Sequence, residues 1–271
     1  MSTHDLTGRV IAITGASAGI GKATAIECAK AGMDVVLGAR RMDKLAEVAD
    51  AVRQLGRQAV AVECDVVNIE DNEKLVKGAV DTFGKLDVIM ANAGHGLNRT
   101  VEATSDADLR EIFEVNFFGT MHTVRTAMPV FRSQETGGHV LITSSCLSRF
   151  SLPRHGAYGA TKAAQTQMAR SMRLELEGDG IPVSVIHPIT TVTEFFDVSA
   201  QISGVDRSGI PKHAPSLFVQ PAERVARAVV KCIRKPVPEV WTSHIVRTVA
   251  GVMVMAPWFH DLVVRKQAAH D

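Results

Sequence analysis

The strongest constraint on how this chain folds is the regular alternation of short, uninterrupted apolar runs with longer amphipathic stretches. Val10–Ile13, Val35–Leu37, Ala59–Val62, Val88–Met90, Val140–Ile142 and Val183–Ile186 read as strands. Between them Lys22–Lys30, Asp43–Gln54, Glu70–Phe83, Asp106–Val130 and Tyr158–Glu177 read as helices. Strands apolar on both faces are covered on both faces, and strict β-α alternation gives a parallel sheet with helices on either side. A helix over Ala222–Arg234 and a short run at Glu239–Trp241 then complete a doubly wound (Rossmann) α/β sheet of about seven strands, one domain spanning 1–271. Gly32, Gly56, Gly84 and Gly178 stand where amphipathic stretches stop, the place for a left-handed helix cap. Residues 195–220, rich in Ser, Gly and Pro, read as a loop, and 245–271 as a C-terminal extension.

Composition narrows the field. Lys plus Arg number 30 against 29 Asp plus Glu, a formal net charge of +1, which argues against coating a nucleic acid or a polybasic hold on a membrane. With 46% hydrophobic and 22% charged residues, disorder and a collagen-like fibre are excluded. The start, MSTHDLTGRV, lacks the basic, apolar, small-residue order of a secretory signal. Cys28, Cys64, Cys146 and Cys232 form no C-x-x-C pair, so free thiols in a reducing cytoplasm are expected. No H-E-x-x-H or paired Cys/His spacing offers a metal site, and the G-x-S-x-G elbow of serine hydrolases is absent. The apolar run 249–259 is far shorter than the roughly 20 residues of a bilayer span. Two readings of it stay open: a core or subunit-contact segment, or one lying in a membrane surface with Trp258, Arg265 and Lys266.

In a doubly wound sheet ligands bind at the carboxyl ends of the strands, so the residues that follow strands carry the function. The first strand runs into Thr14-Gly15-Ala16-Ser17-Ala18-Gly19-Ile20-Gly21 and then a helix. The glycines permit a tight turn and close approach to a pyrophosphate, and the helix amino terminus offers free N–H groups and a partial positive charge. The spacing is G-x-x-x-G-x-G rather than the commoner G-x-G-x-x-G, weak alone and strengthened by the strand before and the helix after. The segment resembles the cofactor turn of the short-chain dehydrogenase/reductase family, T-G-x-x-x-G-x-G. That resemblance runs by motif through residues 8–193 and implies an NAD(P)-dependent oxidoreductase that interconverts a carbonyl and an alcohol, with Gly15, Ser17, Ala18, Gly19, Ile20 and Gly21 against the cofactor.

Cofactor choice is read at the end of the second strand, where an acid holds the ribose 2′-hydroxyl of NAD and an arginine accommodates the 2′-phosphate of NADP. Ala39 stands in the acid's place and Arg40 follows, so NADP is expected over NAD. The family's second basic residue in the glycine turn is replaced by Ala18, and the plainer reading leaves Arg40 and Arg41 as a solvated turn. By resemblance Asp65 and Val66 meet the adenine, though Asp65 also fits as a simple helix-entry residue. Asn92, Ala93 and Gly94, after the fourth strand, resemble the family's Asn-Asn-Ala-Gly with Ala91 as a departure. After the sixth strand, Pro188, Thr191 and Thr193 are expected near the nicotinamide, while Ile189 replaces the family's glycine and is expected to narrow that space or to favour a different loop path.

The chain's one tyrosine opens a helix in Tyr158-Gly159-Ala160-Thr161-Lys162. Positions i and i+4 share a helix face, so the Lys162 ammonium is expected near the phenol and is expected to lower its pKa from about 10 toward working pH. Y-x-x-x-K is a weak motif alone. Ser144 and Ser145 follow the fifth strand, and the family's catalytic serine has the spacing of Ser145, with Ser144 as the adjacent alternative. Asn116 sits in a long helical stretch beside Gly119, where poor helix formers mark a distortion. By resemblance it completes the catalytic set Asn116, Ser145, Tyr158 and Lys162; an ordinary polar helix residue is the alternative. Residues 195–220 then become a substrate lid. Leu147, Phe150, Ile189 and Phe195, with Ser145 and Tyr158, are expected to line a partly apolar small-molecule site, although the lid's apolar residues would also serve simply to pack it down. A homodimer or homotetramer follows from the resemblance, and a non-catalytic NADP-sensing protein is the competing reading.

Overall fold

The computed structural model describes residues 5–204 and 218–268. Its strands are β1 (Val10–Thr14), β2 (Asp34–Ala39), β3 (Ala59–Glu63), β4 (Val88–Ala91), β5 (His139–Thr143), β6 (Val183–His187), β7 (Thr190–Val192), β8 (Val219–Pro221) and β9 (Glu239–Trp241). Its helices are α1 (Gly19–Lys30), α2 (Met42–Gln54), α3 (Ile69–Phe83), α4 (Asp106–Phe113), α5 (Gly119–Ser133), α6 (Gly156–Glu175), α7 (Phe195–Ser203), α8 (Ala222–Arg234), α9 (His244–Met255) and α10 (Pro257–Ala268). Seven strands form one parallel sheet in the order β3-β2-β1-β4-β5-β6-β9, and β7 pairs with β8 in a small second sheet. The chain winds outward from β1 to β3, then returns to lie on the other side of β1. The order therefore reverses between β1 and β4, which opens a crevice at their carboxyl ends.

Residue alternation along the strands builds two apolar layers. Ile11 and Ile13 pack with Cys28 of α1, Leu45, Val48 and Val52 of α2, and Val225 and Val229 of α8. Val10 and Ala12 point the other way, to Leu75 of α3, Val124 and Phe131 of α5, and Ala169 of α6. Two carboxylates, Asp34 buried and Asp87 partly so, set strand starts. Asp34 takes the Arg57 guanidinium at 3.1 and 2.6 Å and the Gln58 amide at 2.8 Å, and Asp87 accepts from the Val10 amide at 2.8 Å.

Four sequence expectations change. The helix expected over Asp106–Val130 is two helices joined by a π-helical turn at Glu114–Phe118. Side chains take over its carbonyls: Thr120 Oγ1 donates to the Asn116 carbonyl at 2.7 Å, Gln165 Nε2 to the same oxygen at 2.6 Å, and Thr123 Oγ1 to that of Gly119 at 2.8 Å. The loop expected over 195–220 begins as α7 and ends as β8; 205–217, including Ile210 and Leu217, lie outside the described residues. The left-handed turn expected at Gly178 falls at Gly180 (φ 65°), because the chain closes the end of α6 with the Ile181 amide on the Leu176 carbonyl; Gly32, Gly56 and Gly84 have the positive φ expected of them. The tail forms α9 and α10, with Ala250 and Met253 buried but Met255 88% and Trp258 72% exposed, so its apolar run is core only in part. Among the described residues no helix is long and apolar enough to cross a membrane.

Gly119 yields a test of this packing. Glycine to alanine in a helix ordinarily stabilises by about 1 kcal/mol. A Cβ here would stand 2.6 Å from Val66 Cγ2 and 3.0 Å from Val66 Cβ. Gly119→Ala is therefore expected to destabilise by about 1–3 kcal/mol, read as a lower urea midpoint at unchanged slope.

Candidate active site

Where the sheet order reverses, the turn after β1 meets the turn after β4. Thr14 Oγ1 accepts from the amides of Asn92 at 3.0 Å and Ala93 at 3.3 Å, while Asn92 Nδ2 donates to the carbonyls of Thr14 at 3.0 Å and Gly15 at 3.4 Å. A Cβ on Gly15 would lie 2.9 Å from Ala93 Cα, and one on Gly21 would lie 2.8 Å from Asn92 Nδ2. These glycines are thus required by backbone packing. The Asn92 side chain is spent on the glycine turn, so it shapes the cofactor cradle. Helix α1 starts with no side-chain cap and no acidic residue in its first turn. Its first N–H groups are left for an outside acceptor, which fits a pyrophosphate.

On the β2 side, Arg40 is largely exposed, 3.8 Å from Asp65. Arg41 is exposed as well, as in a solvated turn, while its Nη2 donates to Ser17 Oγ at 3.2 Å and its Nη1 pairs with Glu194 at 2.9 Å. Val66 is buried and packs against the Gly119 position. At the end of β6, Thr193 sits over Gly19, whose Cβ would be 3.1 Å from Thr193 Cγ2. Thr191 is turned inward, donating to the Ile189 carbonyl at 2.8 Å and accepting from Gln220 at 3.2 Å. Pro188 is buried, and its carbonyl accepts from the Cys146 amide at 3.0 Å. Ile189 is only 5% exposed, and its amide donates to Thr242 Oγ1 at 3.4 Å, just past β9.

Tyr158 lies in the first turn of α6 with Lys162 one turn on. The ammonium is 5.7 Å from the centre of the phenol ring, is 4% exposed, and donates to the Thr143 carbonyl at the end of β5 at 2.9 Å. Asn116, fully buried in the π turn, accepts from the His95 amide at 3.0 Å and donates to the His95 carbonyl at 2.9 Å and to Thr161 Oγ1 at 3.1 Å. Gly94 lies between the two groups: a Cβ there would be 2.8 Å from Asn116 Oδ1 and 3.7 Å from Lys162 Nζ. Ser144 is committed to the Lys162 carbonyl at 3.0 Å and Thr166 Oγ1 at 2.8 Å. Ser145 Oγ accepts from the Leu147 amide at 3.1 Å, and Ser145 is the serine that counters the rise of the Tyr158 pKa. Phe195, at the start of α7, stands edge-on to the Tyr158 ring at 5.5 Å.

The electrostatics reverse one expectation. Burial raises the Tyr158 phenol above its ordinary value, and hydrogen bonding with Ser145 opposes this only in part. The cation expected to lower it is itself weakened: burial pulls Lys162 down to about 7. Desolvation acts on each in the direction of its neutral form, phenol and amine.

Sequence reading also missed Thr161 and Gln165, which join α6 to the π turn through Asn116. The signal was present: Tyr158, Thr161, Lys162 and Gln165 follow i, i+3, i+4, i+7 spacing on one helix face. Helix α7 is seated by Asn98, whose amide donates to Ser203 Oγ at 2.8 Å, and by Arg99, which reaches the Ile202 carbonyl at 3.3 Å and pairs with Asp108.

A parallel sheet with this crevice, glycine turn and Ser-Tyr-Lys convergence defines a nicotinamide-dependent oxidoreductase of the Rossmann type. The chain belongs to the short-chain dehydrogenase/reductase family, whose short chain dehydrogenase profile matches residues 9–201. It is 35% identical over 194 residues to an uncharacterized oxidoreductase of Listeria innocua, covering 71% of this chain and 78% of that protein. It is 33% identical to 11-beta-hydroxysteroid dehydrogenase A of Sesamum indicum, covering 88% and 70%. Among solved structures, carveol dehydrogenase from Mycobacterium avium in complex with NAD superposes with a TM-score of 0.79 at 26% identity, covering 90% of this chain and 99% of that one. An alcohol dehydrogenase from Thermococcus sibiricus complexed with 5-hydroxy-NADP gives 0.74 at 29%, covering 86% and 95%. The protein is an NAD(P)-dependent dehydrogenase/reductase.

The buried ammonium has a thermodynamic signature. Lys162 titrates near 7 in the fold against 10.5 ordinarily, so between those values the unfolded chain binds more protons and stability rises with pH. Lys162→Met removes that slope. The variant is expected to have the higher Tm at pH 7, with the difference shrinking toward pH 10, followed by circular dichroism. Parallel pH slopes for the two proteins would show that the ammonium is not desolvated.

Proposed function

We propose that the protein is an NADP-dependent oxidoreductase that interconverts a carbonyl and an alcohol, with Tyr158 as general acid/base and Ser145, Lys162 and Asn116 in its catalytic set. The observation that carries this reading is the convergence of Ser145 and Lys162 on the chain's one phenol, at the carboxyl end of β5. A bound nicotinamide supplies or accepts the hydride; the protein orients and moves the proton. The turn Gly15–Gly21 and the start of α1 hold the pyrophosphate, with Arg40 at the 2′-phosphate and Arg41 beside Ser17 reinforcing it. Asp65 and Val66 border the adenine end, Ala93 and Gly94 the wall at β4. Lys162 holds the nicotinamide ribose, and Pro188, Thr191 and Thr193 the segment next to the nicotinamide.

In carbonyl reduction, the Tyr158 hydroxyl gives its proton to the substrate oxygen, and Ser145 Oγ holds that oxygen in place by donating a hydrogen bond. The raised phenol pKa suits this direction: at neutral pH the acid form is the resting form. Alcohol oxidation needs the phenolate and gains as pH rises. Asn116 keeps the π turn against α6 and places Lys162 on the proton path. Leu147, Phe150 and Phe195 make the substrate side apolar, and the lid beginning at α7 closes over it. The relatives named for a hydroxysteroid and for carveol agree with an apolar alcohol or ketone. The reading carries with it a cytoplasmic enzyme that works as a homo-oligomer, as is typical of the family.

NADPH oxidation across a panel of ketones tests the proposal. Tyr158→Phe is expected to lower kcat by about 10²- to 10⁴-fold while NADPH binding is retained; substantial remaining turnover overturns the acid. Arg40→Asp is expected to weaken NADPH relative to NADH by about 10- to 100-fold, the range for one charge-assisted contact to phosphate. Equal loss for both coenzymes would show that Arg40 does not read the 2′-phosphate. Wild-type protein that binds NADPH and turns over no carbonyl would favour the cofactor-sensing alternative.

A further inference from the structure

Behind Ser145, β6 and β9 bury a polar frame that the reaction above does not use. His187 ends β6 and is fully buried. Its ring stacks on Trp241, its register partner on β9, with centroids 4.5 Å apart and planes 21° from parallel. Nδ1 lies 3.1 Å from the Ser145 carbonyl oxygen and 3.2 Å from Ser148 Oγ. A carbonyl oxygen only accepts, so the proton is on Nδ1. Nε2 is then a bare acceptor, without a hydrogen-bond partner among the described residues and 3.8 Å from Glu239 Oε2. Glu239 is tied elsewhere: it accepts from Trp241 Nε1 at 3.0 Å, pairs with Arg170 at 3.3 Å, and also pairs with Arg149. Burial holds the imidazole down to about 4, so it is neutral through the physiological range.

We infer that His187 is a positioning residue for Ser145. Its Nδ1–H donates to the serine's own carbonyl, and the Trp241 stack and the Glu239 pairs keep the ring from turning. The Ser148 amide donates to the same carbonyl at 3.1 Å, so the peptide after Ser145 is gripped from its turn and from the sheet together. Ser145 is extended (φ −160°, ψ 159°) as it enters the short 3₁₀ turn Cys146–Ser148. Rotating that peptide would swing Oγ away from the phenol. Arg149 extends the frame to the residue before Phe150, so the serine and the apolar substrate wall share one support. The inference rests on the reading of Ser145 given above.

Two measurements test it. In ¹⁵N-labelled protein, long-range ¹H–¹⁵N correlation of the imidazoles, with the His187 signal assigned by its loss in His187→Phe, is expected to show the Nδ1–H tautomer. The Nε2–H tautomer, or an imidazolium near neutral pH, overturns the inference. In kinetics, His187→Phe keeps a ring for Trp241 and loses the donor. It is expected to lower kcat about 10- to 100-fold, the scale of a misaimed group, with the NADPH KM within about twofold. His187→Asn, whose amide can take the place of Nδ1–H, is expected to restore part of the loss. A His187→Phe kcat within about twofold of wild type, or His187→Asn no better than His187→Phe, overturns the inference. If His187→Phe does not fold, the resonance absent from His187→Asn assigns the tautomer, which decides alone. Tyr158→Phe run alongside separates the two failures: turnover that survives it sinks the assignment of the acid, while the tautomer still reports whether His187 holds the serine.

Discussion

A lysine ammonium with 4% of its surface exposed costs stability unless its surroundings hold it, and much of this molecule is arranged around that cost. Lys162 reaches from the first turns of α6 to the Thr143 carbonyl, so β5 and α6 are tied at the point where the sheet ends. Helix α6 in turn holds the π turn through Gln165 and Thr161, both directed at Asn116. Gly94 lets the β4 turn come close enough for Asn116 and Lys162 to share its flank. A side chain at Gly94, or a regular helix through Asn116, would push these groups apart and leave the cation without its setting.

The cofactor side of the cleft depends on a different economy, that of backbone contact. The turn after β1 and the turn after β4 touch through Thr14, Asn92 and the bare Cα atoms of Gly15 and Gly21. Side chains there are used to hold the two turns together, which leaves main-chain N–H groups of α1 for the ligand. Arg40 and Arg41 follow β2, the strand next to β1, where the proposed reading puts the adenosine end. Through Glu194, Arg41 also connects that end to the start of α7.

Much of the fold was legible because each strand of the main sheet is a short apolar run and each helix carries a stripe at the right period. The expected strands agree with the observed ones to within about two residues at either end. What failed did so where contacts from outside an element decided where it breaks or ends. The distortion expected beside Asn116 takes the form of a π turn, whose Asn116 carbonyl is taken by Thr120 one turn on and by Gln165, 49 residues away, a contact with no local trace. The loop expected after residue 195 forms α7 because Asn98 and Arg99 receive its carboxyl end. The glycine expected at 178 cedes its role to Gly180 because the end of α6 is closed from Ile181.

Of the site, chemistry was readable and state of charge was not. Residue order along the chain suffices to select a Rossmann sheet, a phosphate-binding turn, and a phenol with an amine one helical turn away, since all three follow from spacing and strand ends. Whether that amine makes the phenol more acidic depends on how much water reaches both. Here burial raises Tyr158 and lowers Lys162, opposite to what two solvated neighbours would do to each other. Which of two adjacent serines faces the phenol, and that His187 and Glu239 stand behind it, likewise depends on β5, β6 and β9 lying side by side. Periodicity determines which elements form; desolvation and contacts between distant strands arise only once those elements are packed together.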